Sequence, residues 1–569
     1  MKQQDIKFFE RMLLLVLILG LSLGYLYLTK SMAYTRYERI EFYSAGAKLY
    51  ANLYYPSKSL SFQEKRPLII YCHGIGTHRD IDLRIPIEFT KRGFYVAALD
   101  YQGHGESGGN IINIDPKTNI PALAEDCSNL LDKLETLPFY SNVNTSQIGL
   151  IGHSLGGMVV LMNQALDPRF NITVAWAPLV NFDPVELGII QAEKYKKYIP
   201  VNLLNTSNTH NLLIIMNVND EALNFTNQAL KAQELTNCTV IPITYPTFGG
   251  NHQLYSDEVI IKSINWFEYY FFGSTTKNGP IKITYLLNYI TIFISMGLLF
   301  IIVLKLISYA ARAFNIKDEE EILFLLSIQK KKFSKSYKLK QFMKLGFFLI
   351  IFIFNWDIFN HLFKIFGIIL ASILNSIIFG FIALKIHHRK LKIRKKKFNL
   401  KHIIESQVRM KHILFAILSS LYFMGNYLIF TFYYPFAFMW PSNFLVTFPI
   451  GMVIFPIYFS MEILYRKVLY PQLNFIKSEK ARTRVIIIIA IIVQLYLVYL
   501  TRSWAFFHSV ICTYIILLVV IIQNTLIYAN TKCFTTVIVS SFIILQLFFS
   551  AVISNAFGIG AVLHYFIDL

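Results

Sequence analysis

Gly152-His153-Ser154-Leu155-Gly156-Gly157 follows the strand-like run 148–151 and precedes the helix-like run 158–166. A strand that turns sharply into a helix lifts the middle residue into a strained, exposed position, and glycines on either side remove the Cβ atoms that would collide there. Gly-x-Ser-x-Gly in that setting is the pattern of a nucleophile elbow. Alone it says little, because glycine and serine are frequent in ordinary turns. Its weight comes from three partners elsewhere in the chain.

The first partner is an acid. Residues 212–216 read as a buried strand, and Asn217-Val218-Asn219-Asp220-Glu221 is the loop at its end, so Asp220 can reach the top of a parallel sheet, with Glu221 beside it as the other candidate. The second is a base: His252 follows Phe248-Gly249-Gly250-Asn251, just after the apolar strand 240–245. The third is an anion cradle, His73-Gly74-Ile75-Gly76, at the end of strand 68–72, where flexible backbone can aim an N–H at a developing oxyanion. A serine hydroxyl is a poor nucleophile at neutral pH unless an imidazole takes its proton, and the imidazole needs a carboxylate to hold its tautomer.

Together with Asp100-Tyr101-Gln102-Gly103-His104-Gly105-Glu106-Ser107, these residues resemble the α/β-hydrolase superfamily, in particular its lysophospholipase, monoacylglycerol lipase and serine aminopeptidase-like branch, over about residues 36–272. The resemblance implies Ser154 as nucleophile, His252 as general base and Asp220 as its orienter, with the backbone amides of Leu155 and Ile75 as the oxyanion hole. Asn217 stands where that family often has glycine before the acid.

The chain has 569 residues, 54% of them hydrophobic and 15% charged, which is too long for one core and too apolar for a wholly soluble protein. Residues 31–280 hold 19 of the 54 Lys+Arg and 23 of the 34 Asp+Glu, a net of −4, so the remainder carries +24 and the basic excess belongs to it. That removes most support for a nucleic-acid partner. Basic residues beside apolar runs are topology signals and contacts for anionic lipid headgroups. The five cysteines show neither Cys-x-x-Cys nor metal-ligand spacing and read as buried free thiols. No zinc or nucleotide motif appears, so neither metal nor cofactor is expected.

Lys2, Lys7 and Arg11 precede an apolar run of 17 residues, 12–28, without a convincing small-residue cleavage site; it reads as a signal anchor with the amino terminus in the cytoplasm. Residues 37–55 alternate around Ser44-Ala45-Gly46-Ala47 as a hairpin, and strands then alternate with helices as in a doubly wound sheet. Residues 187–199 fall in an insertion that in hydrolases caps the site, and read equally as a small lid or an ordinary surface helix.

Residues 285–306 can cross a bilayer and are followed by Arg312, Lys317 and the cluster Lys330, Lys331, Lys332, Lys335, Lys338 and Lys340, charges that belong in the cytoplasm. The segment between this span and the anchor is therefore expected to face outward. Eight further apolar segments follow, at about 345–361, 365–384, 413–433, 444–464, 485–500, 504–524, 534–553 and 556–567. Residues 385–411 hold eleven Lys+Arg against Glu405 alone, and 466–484 is again basic; both sit where an even-numbered crossing returns inside. Asp357 and His361, one turn apart, read as the outer mouth of a tight helical hairpin. The expected organisation is a cytoplasmic tip and anchor (1–35), a sheet domain (36–272), a second span (273–310), a basic cytoplasmic linker (311–344) and an eight-span helical domain (345–569), about ten spans in all.

A fainter constellation lies in that last domain. Glu462-Ile463-Leu464-Tyr465-Arg466 ends one span, Trp504-Ala505-Phe506-Phe507-His508 begins another, and His564-Tyr565-Phe566-Ile567-Asp568 lies near the carboxyl end. Glutamate and histidine inside apolar segments are costly, so partners or a function are expected. Order and spacing resemble the intramembrane CAAX prenyl endopeptidase family, whose pattern is Glu-Glu-x-x-x-Arg, Phe-x-x-x-His and His-x-x-x-Asn within eight spans. Here Met461 occupies the place of the first, catalytic glutamate, Trp504 replaces phenylalanine and Asp568 replaces asparagine. Methionine cannot accept a proton. The resemblance thus implies a shared fold whose protease chemistry is lost; the alternative is that these polar residues satisfy one another between helices.

The expected fold class is an α/β-hydrolase doubly wound sheet joined to an all-α polytopic transmembrane bundle. The expected function is a membrane-anchored serine hydrolase acting on carboxylic esters, acyl lipids or lysolipids that arrive from the leaflet. Two alternatives stand beside it: a serine peptidase of the same superfamily, and a non-catalytic ligand-sensing ectodomain on a signalling or transport membrane domain.

Overall fold

The computed structural model describes residues 3–56, 65–80, 82–187, 192–247, 250–275, 279–316, 333–393, 408–433, 444–501 and 507–556. The chain divides into two units, one whose main body is Leu17–Ser295 and one of Met1–Val16, Met296–Tyr433 and Asn443–Ala551. A helix, α1 (Gln3–Ala33), leads into the strands of the first.

Ala45 and Gly46, with φ of 47° and 79°, make the two-residue turn that suits the right-handed twist of paired strands, and they fold β1 (Tyr34–Ser44) onto β2 (Ala47–Pro56). Ile40 and Phe42 are buried while Arg39 and Glu41, which alternate with them, are exposed, as in a strand with one covered face. The remaining strands are β3 (Arg66–Cys72), β4 (Tyr95–Asp100), β5 (Val143–His153), β6 (Ile172–Trp176), β7 (Leu212–Asn217) and β8 (Thr239–Ile243). They form one eight-stranded sheet in the order β1-β2-β4-β3-β5-β6-β7-β8, with β1, β2 and β4 antiparallel to one another in turn and every pairing from β4 to β8 parallel. β4 and β7 are buried at every position, as near-continuous apolar runs must be when helices cover both faces of a parallel sheet.

The covering helices include α2 (Arg84–Thr90), α3 (Asp126–Glu135) and α4 (Leu155–Leu166), then the short α5 (Ala192–Lys196), α6 (Pro200–Leu203) and α7 (Lys231–Thr236), and finally α8 (Asp257–Phe272). α3 begins at Asp126, after Pro121 has capped a tighter 3₁₀ turn over Ala122–Ala124. α8 starts where the Ser256 side chain accepts the Glu258 N–H and stops at Gly273, whose φ of 70° is left-handed. Parallel pairing sets the loops after β3, β5, β7 and β8 along one rim, the carboxyl edge where α/β sheets place their sites.

The same unit grips the start of the next helix, α9 (Tyr285–Ala313). Glu88 Oε1 on α2 accepts the N–H groups of Thr284 and Tyr285, at 2.8 and 2.9 Å, and Tyr285 Oη donates to Asp257 at 2.9 Å.

The second unit is helical: α10 (Lys335–Ile393), α11 (Met410–Tyr433), α12 (Phe444–Glu462), α13 (Glu479–Thr501), α14 (Phe507–Thr531) and α15 (Phe534–Ala556). α10 cannot be straight. Asn355 Nδ2 donates to Asn375 Oδ1 at 2.7 Å, and Trp356 Nε1 donates to Ser372 Oγ at 2.8 Å. At 1.5 Å of rise per residue those partners would stand roughly 24–30 Å apart on one axis. The chain doubles back near Gly367, where a Cβ would collide with the Phe359 carbonyl. Among the described residues, four helical stretches are long and apolar enough to cross a membrane: Phe8–Tyr27, Tyr285–Ala313, Lys335–Phe363 and Phe366–His388.

Candidate active site

Ser154 stands between β5 and α4 with φ 57° and ψ −119°, a left-handed backbone that a non-glycine residue adopts only under constraint. The constraint is visible on both sides. Its N–H donates to the Trp176 carbonyl on β6 at 2.8 Å, and its carbonyl accepts the Met158 N–H at 3.1 Å in the first turn of α4. The turn is tight enough that a Cβ on Gly152 would strike the Gly156 backbone, and one on Gly156 would strike the carbonyls of Cys72 and His73. Only glycine fits either place.

The sheet rim brings the three side chains together. His252 Nε2 lies 3.0 Å from Ser154 Oγ, and His252 Nδ1 lies 2.8 and 3.0 Å from the two oxygens of Asp220. Ser154 and His252 are 5% and 9% exposed, so a substrate can reach them while bulk water is largely excluded. Asp220 has no side-chain exposure, and its Oδ1 also accepts the N–H groups of Ala222 and Leu223, at 2.8 and 2.9 Å. A carboxylate so held orients the imidazole with Nδ1–H toward itself, leaving Nε2 free to take the hydroxyl proton.

Glu221, the other candidate acid, does different work. Its Oε2 accepts the backbone N–H groups of Asn251 and His252, at 2.9 and 3.2 Å, so it braces the loop that carries the imidazole without touching the ring. Asn217 fills the place of the expected glycine by stapling strand ends: its Nδ2 donates to the Tyr245 carbonyl at 2.8 Å and its Oδ1 accepts the Asn219 N–H at 2.9 Å.

Two further braces escaped the sequence reading. His153 Nε2 lies 2.8 Å from the His252 carbonyl, tying the elbow to the base loop. Arg84 Nη1 donates to the Leu254 carbonyl at 2.8 Å, and the same guanidinium is forked onto Asp82 and lies 4.1 Å from the Tyr255 ring centre. Leu254 is itself left-handed, at φ 53°. The elbow motif names the nucleophile but not the residue in its x position, and nothing in the sequence announces a bond between positions 84 and 254.

The anion cradle is built from a pinned peptide. Thr77 Oγ1 donates to the Gly74 carbonyl at 2.7 Å, and the Tyr101 hydroxyl donates to the His73 carbonyl at 2.8 Å. In a trans peptide the N–H points opposite to the C=O, so fixing the Gly74 carbonyl turns the Ile75 N–H away from Thr77. Gly74 lies against the elbow, since a Cβ there would stand 3.5 Å from Ser154 Cβ. Leu155 begins α4, so its N–H has no acceptor within the helix.

Under the cradle lies a buried ionic knot. Asp100 accepts the Arg79 N–H at 2.6 Å and the Glu106 N–H at 3.0 Å, and Arg79 is ion-paired to both Asp100 and Glu106. Burial works against the charge on Asp100, but the Arg79 guanidinium and the neighbouring His73 override it and hold the carboxyl well below the usual carboxylate range. Asp126, buried nearby, has no ion-pair partner among the described residues: burial raises its pKa from 3.8 to about 6, against the pull of the Gln102 N–H and the Ser44 hydroxyl. Cys72 and Cys127 are buried free thiols with sulfurs 3.4 Å apart. Among the described residues no group of three His, Cys, Asp or Glu side chains gathers as a metal site.

In the insertion after β6, Tyr195 on α5 is buried and its hydroxyl donates to the Ile111 carbonyl at 3.1 Å; residues 188–191 lie outside the described ones.

In the helical unit Glu462 and Arg466 meet each other: Arg466 Nε donates to Glu462 Oε2 at 2.9 Å and Arg466 Nη2 donates to Thr525 Oγ1 at 2.8 Å. Asn524 Nδ2 donates to Glu462 Oε1 at 3.2 Å and to Ser541 Oγ at 2.6 Å. His564 and Asp568 lie outside the described residues, as do Trp504 and the side chain of His508.

Residues 63–227 match the family model described as serine aminopeptidase, S33. Platelet-activating factor acetylhydrolase of Cavia porcellus is 28% identical over 172 residues, 23% of this chain and 39% of the relative. An uncharacterized 31.7 kDa protein of the traX-finO intergenic region of Escherichia coli is 33% identical over 126 residues, 22% of this chain and 41% of its own length. The chain thus spans about two fifths of each of these relatives. Among solved structures, the Pyrococcus horikoshii acylaminoacyl peptidase aligns with a TM-score of 0.33 and 14% identity over 44% of this chain and 43% of that one. Elbow, acid and base in this order on a parallel sheet, with a family model lying across them, make the sheet-bearing part of the chain a domain of the α/β-hydrolase superfamily.

Proposed function

We propose that the sheet domain is a serine hydrolase that cleaves carboxylic esters, with acyl lipids or lysolipids as the substrate class. One observation carries the reading: His252 Nε2 is 3.0 Å from Ser154 Oγ while its other nitrogen is held by Asp220. In that geometry His252 takes the hydroxyl proton as Oγ attacks the acyl carbon. The oxyanion that forms is met by the N–H groups of Leu155 and Ile75, and His252 then protonates the departing alcohol. Water repeats the sequence on the acyl-enzyme and releases the acid. Ester rather than amide is favoured by the acetylhydrolase relatives, and a lipid by the apolar helices on either side of the domain.

A serine peptidase is the second reading, favoured by the matched family model, whose description is an aminopeptidase. Both reactions use the same three side chains, so the substrate decides between them. The sensing alternative loses ground to the triad itself, because a binding module has no need of an imidazole within bonding distance of the serine.

The membrane part of the reading is a signal anchor, a second span and an eight-span domain, about ten crossings, with the hydrolase domain outside the cytoplasm. The resemblance of that domain to the CAAX prenyl endopeptidases remains part of the proposal in its inactive form. Met461 is buried at the place of the catalytic glutamate, and Glu462 is already engaged by Arg466 and Asn524.

A fluorophosphonate probe tests the core claim on purified full-length protein: the wild type should be labelled and Ser154→Ala should not. Hydrolysis of an acyl-ester panel should exceed that of aminoacyl amides. A folded wild type that resists the probe overturns the enzyme, and a preference for amides hands the site to the peptidase reading.

A further inference from the structure

The helical unit buries three cations around two aromatic rings that meet edge to face, Tyr470 and Tyr528, with centres 5.4 Å apart. Arg466 and Lys532 lie 5.7 and 5.8 Å from the Tyr528 centre, and Lys532 and Arg482 lie 5.3 and 5.4 Å from that of Tyr470. Two of the three have a carboxylate: Arg466 is bonded to Glu462, and Lys532 is ion-paired with Glu479 and spends its other two N–H groups on the Tyr470 hydroxyl at 3.2 Å and the Ala529 carbonyl at 2.8 Å. Arg482 has none. It is 2% exposed, its Nε is buried without an acceptor, and among the described residues no carboxylate, carbonyl or hydroxyl meets its other nitrogens. A ring face offers a guanidinium partial compensation, but it accepts none of the in-plane N–H groups.

A buried guanidinium without an anion is costly, and an orphaned buried donor in a native site calls for an ion or group that satisfies it. The surroundings say which kind. Arg482 lies in the first turn of α13, where Ser478 accepts the N–H groups of Ala481 and Arg482 and the helix dipole favours negative charge. Tyr470, having accepted from Lys532, keeps its own hydroxyl hydrogen to donate. Lys477, Lys480 and Arg484 flank the site, and the apolar run 485–500 follows at once, so the site stands where a basic segment enters an apolar helix. A planar fork beside a hydroxyl at a helix start is a donor set for a tetrahedral oxyanion.

We propose that Arg482, with the Tyr470 hydroxyl, binds a phosphoryl oxyanion, supplied by the headgroup of an anionic phospholipid or by free phosphate. The site is independent of the hydrolase triad and of the proposed ester chemistry. It gives the helical unit a ligand of its own, one that holds the start of α13.

Amide hydrogen exchange across residues 479–484 of the full-length protein tests this locally. One arm compares inorganic phosphate with chloride at equal ionic strength in a nonionic detergent. The other compares nanodiscs of phosphatidylcholine alone with discs containing phosphatidylglycerol. Exchange in the wild type should slow by about tenfold in at least one arm, and not at all in Arg482→Gln. Slowing by phosphate assigns the free ion as a ligand, and slowing only in phosphatidylglycerol discs assigns the lipid headgroup. Unchanged exchange in both arms, or equal slowing in Arg482→Gln, overturns the site. Should Arg482→Gln lose protection across 485–500 through misfolding, Arg482→Lys replaces it. That variant keeps the charge without the fork and should show a smaller slowing at the same ligand concentration; slowing equal to wild type counts against the fork.

Discussion

Asp220 and Glu221 are neighbouring carboxylates at one loop, and what separates them is the atom each one meets. Asp220 touches the imidazole, so Asp220→Asn should leave the geometry standing but present the wrong tautomer, with kcat lower by about 10⁴-fold. Glu221 meets only the backbone of Asn251 and His252, so Glu221→Gln should lower kcat by about tenfold and leave the midpoint of the kcat/KM–pH profile in place. A shifted midpoint would mean that Glu221 acts on the ring after all. The loop and its acids were legible from the end of strand β7, but the choice between two adjacent side chains was not, because a loop has no periodicity to say which one turns inward. Arg84 was illegible for a different reason: its acceptor is a backbone carbonyl, which every residue has. Asp126 yields a pH prediction. Its folded pKa is raised from 3.8 to about 6, so between those values the native state holds a proton that the unfolded chain releases, and stability falls as pH rises. Asp126→Asn never ionises, and the difference in unfolding midpoint between variant and wild type should move in favour of the variant from pH 4 to pH 6.5. A constant difference would count against a protonated Asp126.

At the scale of elements, hydrophobic pattern carried the sheet. Residues 68–72, 212–216 and 240–245 read as strands because they are short apolar runs bounded by turn residues, and β3, β7 and β8 occupy nearly those positions. Within α10 the apolar runs 345–361 and 365–384 were readable, whereas the pairing of Asn355 with Asn375 and of Trp356 with Ser372 depends on a fold-back that composition does not encode. Long-range caps were equally hidden. Glu88 on α2 stands in for an N-cap side chain at α9, close to 200 positions further along the chain. Losing such a cap costs about 1 kcal/mol. Glu88→Ala should therefore speed amide exchange at residues 284–286 roughly fivefold while fluorophosphonate labelling of Ser154 is unchanged. Labelling that falls in step with the exchange would show that this end of α9 bears on the triad.

For the whole molecule the sharpest claim concerns sidedness, and it rests on charge that the sheet domain does not share. Residues 31–280 carry a net of −4 and the remainder +24, with the basic excess gathered in stretches such as 385–411 and 466–484. Short loops rich in Lys and Arg are retained in the cytoplasm, so on the proposed topology 385–411 and 466–484 lie inside. Two of the stretches able to cross among the described residues, Phe8–Tyr27 and Tyr285–Ala313, bracket the sheet domain in sequence, so on the proposed topology its exposure is a matter of parity: one crossing out, one crossing back. Protease added to intact cells should then cut within 36–272 and abolish probe labelling, while an epitope inserted in 394–407 stays intact until the membrane is opened. Had the domain lain inside, protection would be reversed at both places. A mixed result, with both cut from outside, would break the parity by requiring an even number of crossings between them where the three stretches Tyr285–Ala313, Lys335–Phe363 and Phe366–His388 give an odd one, and would send the search back to the helices between 285 and 393.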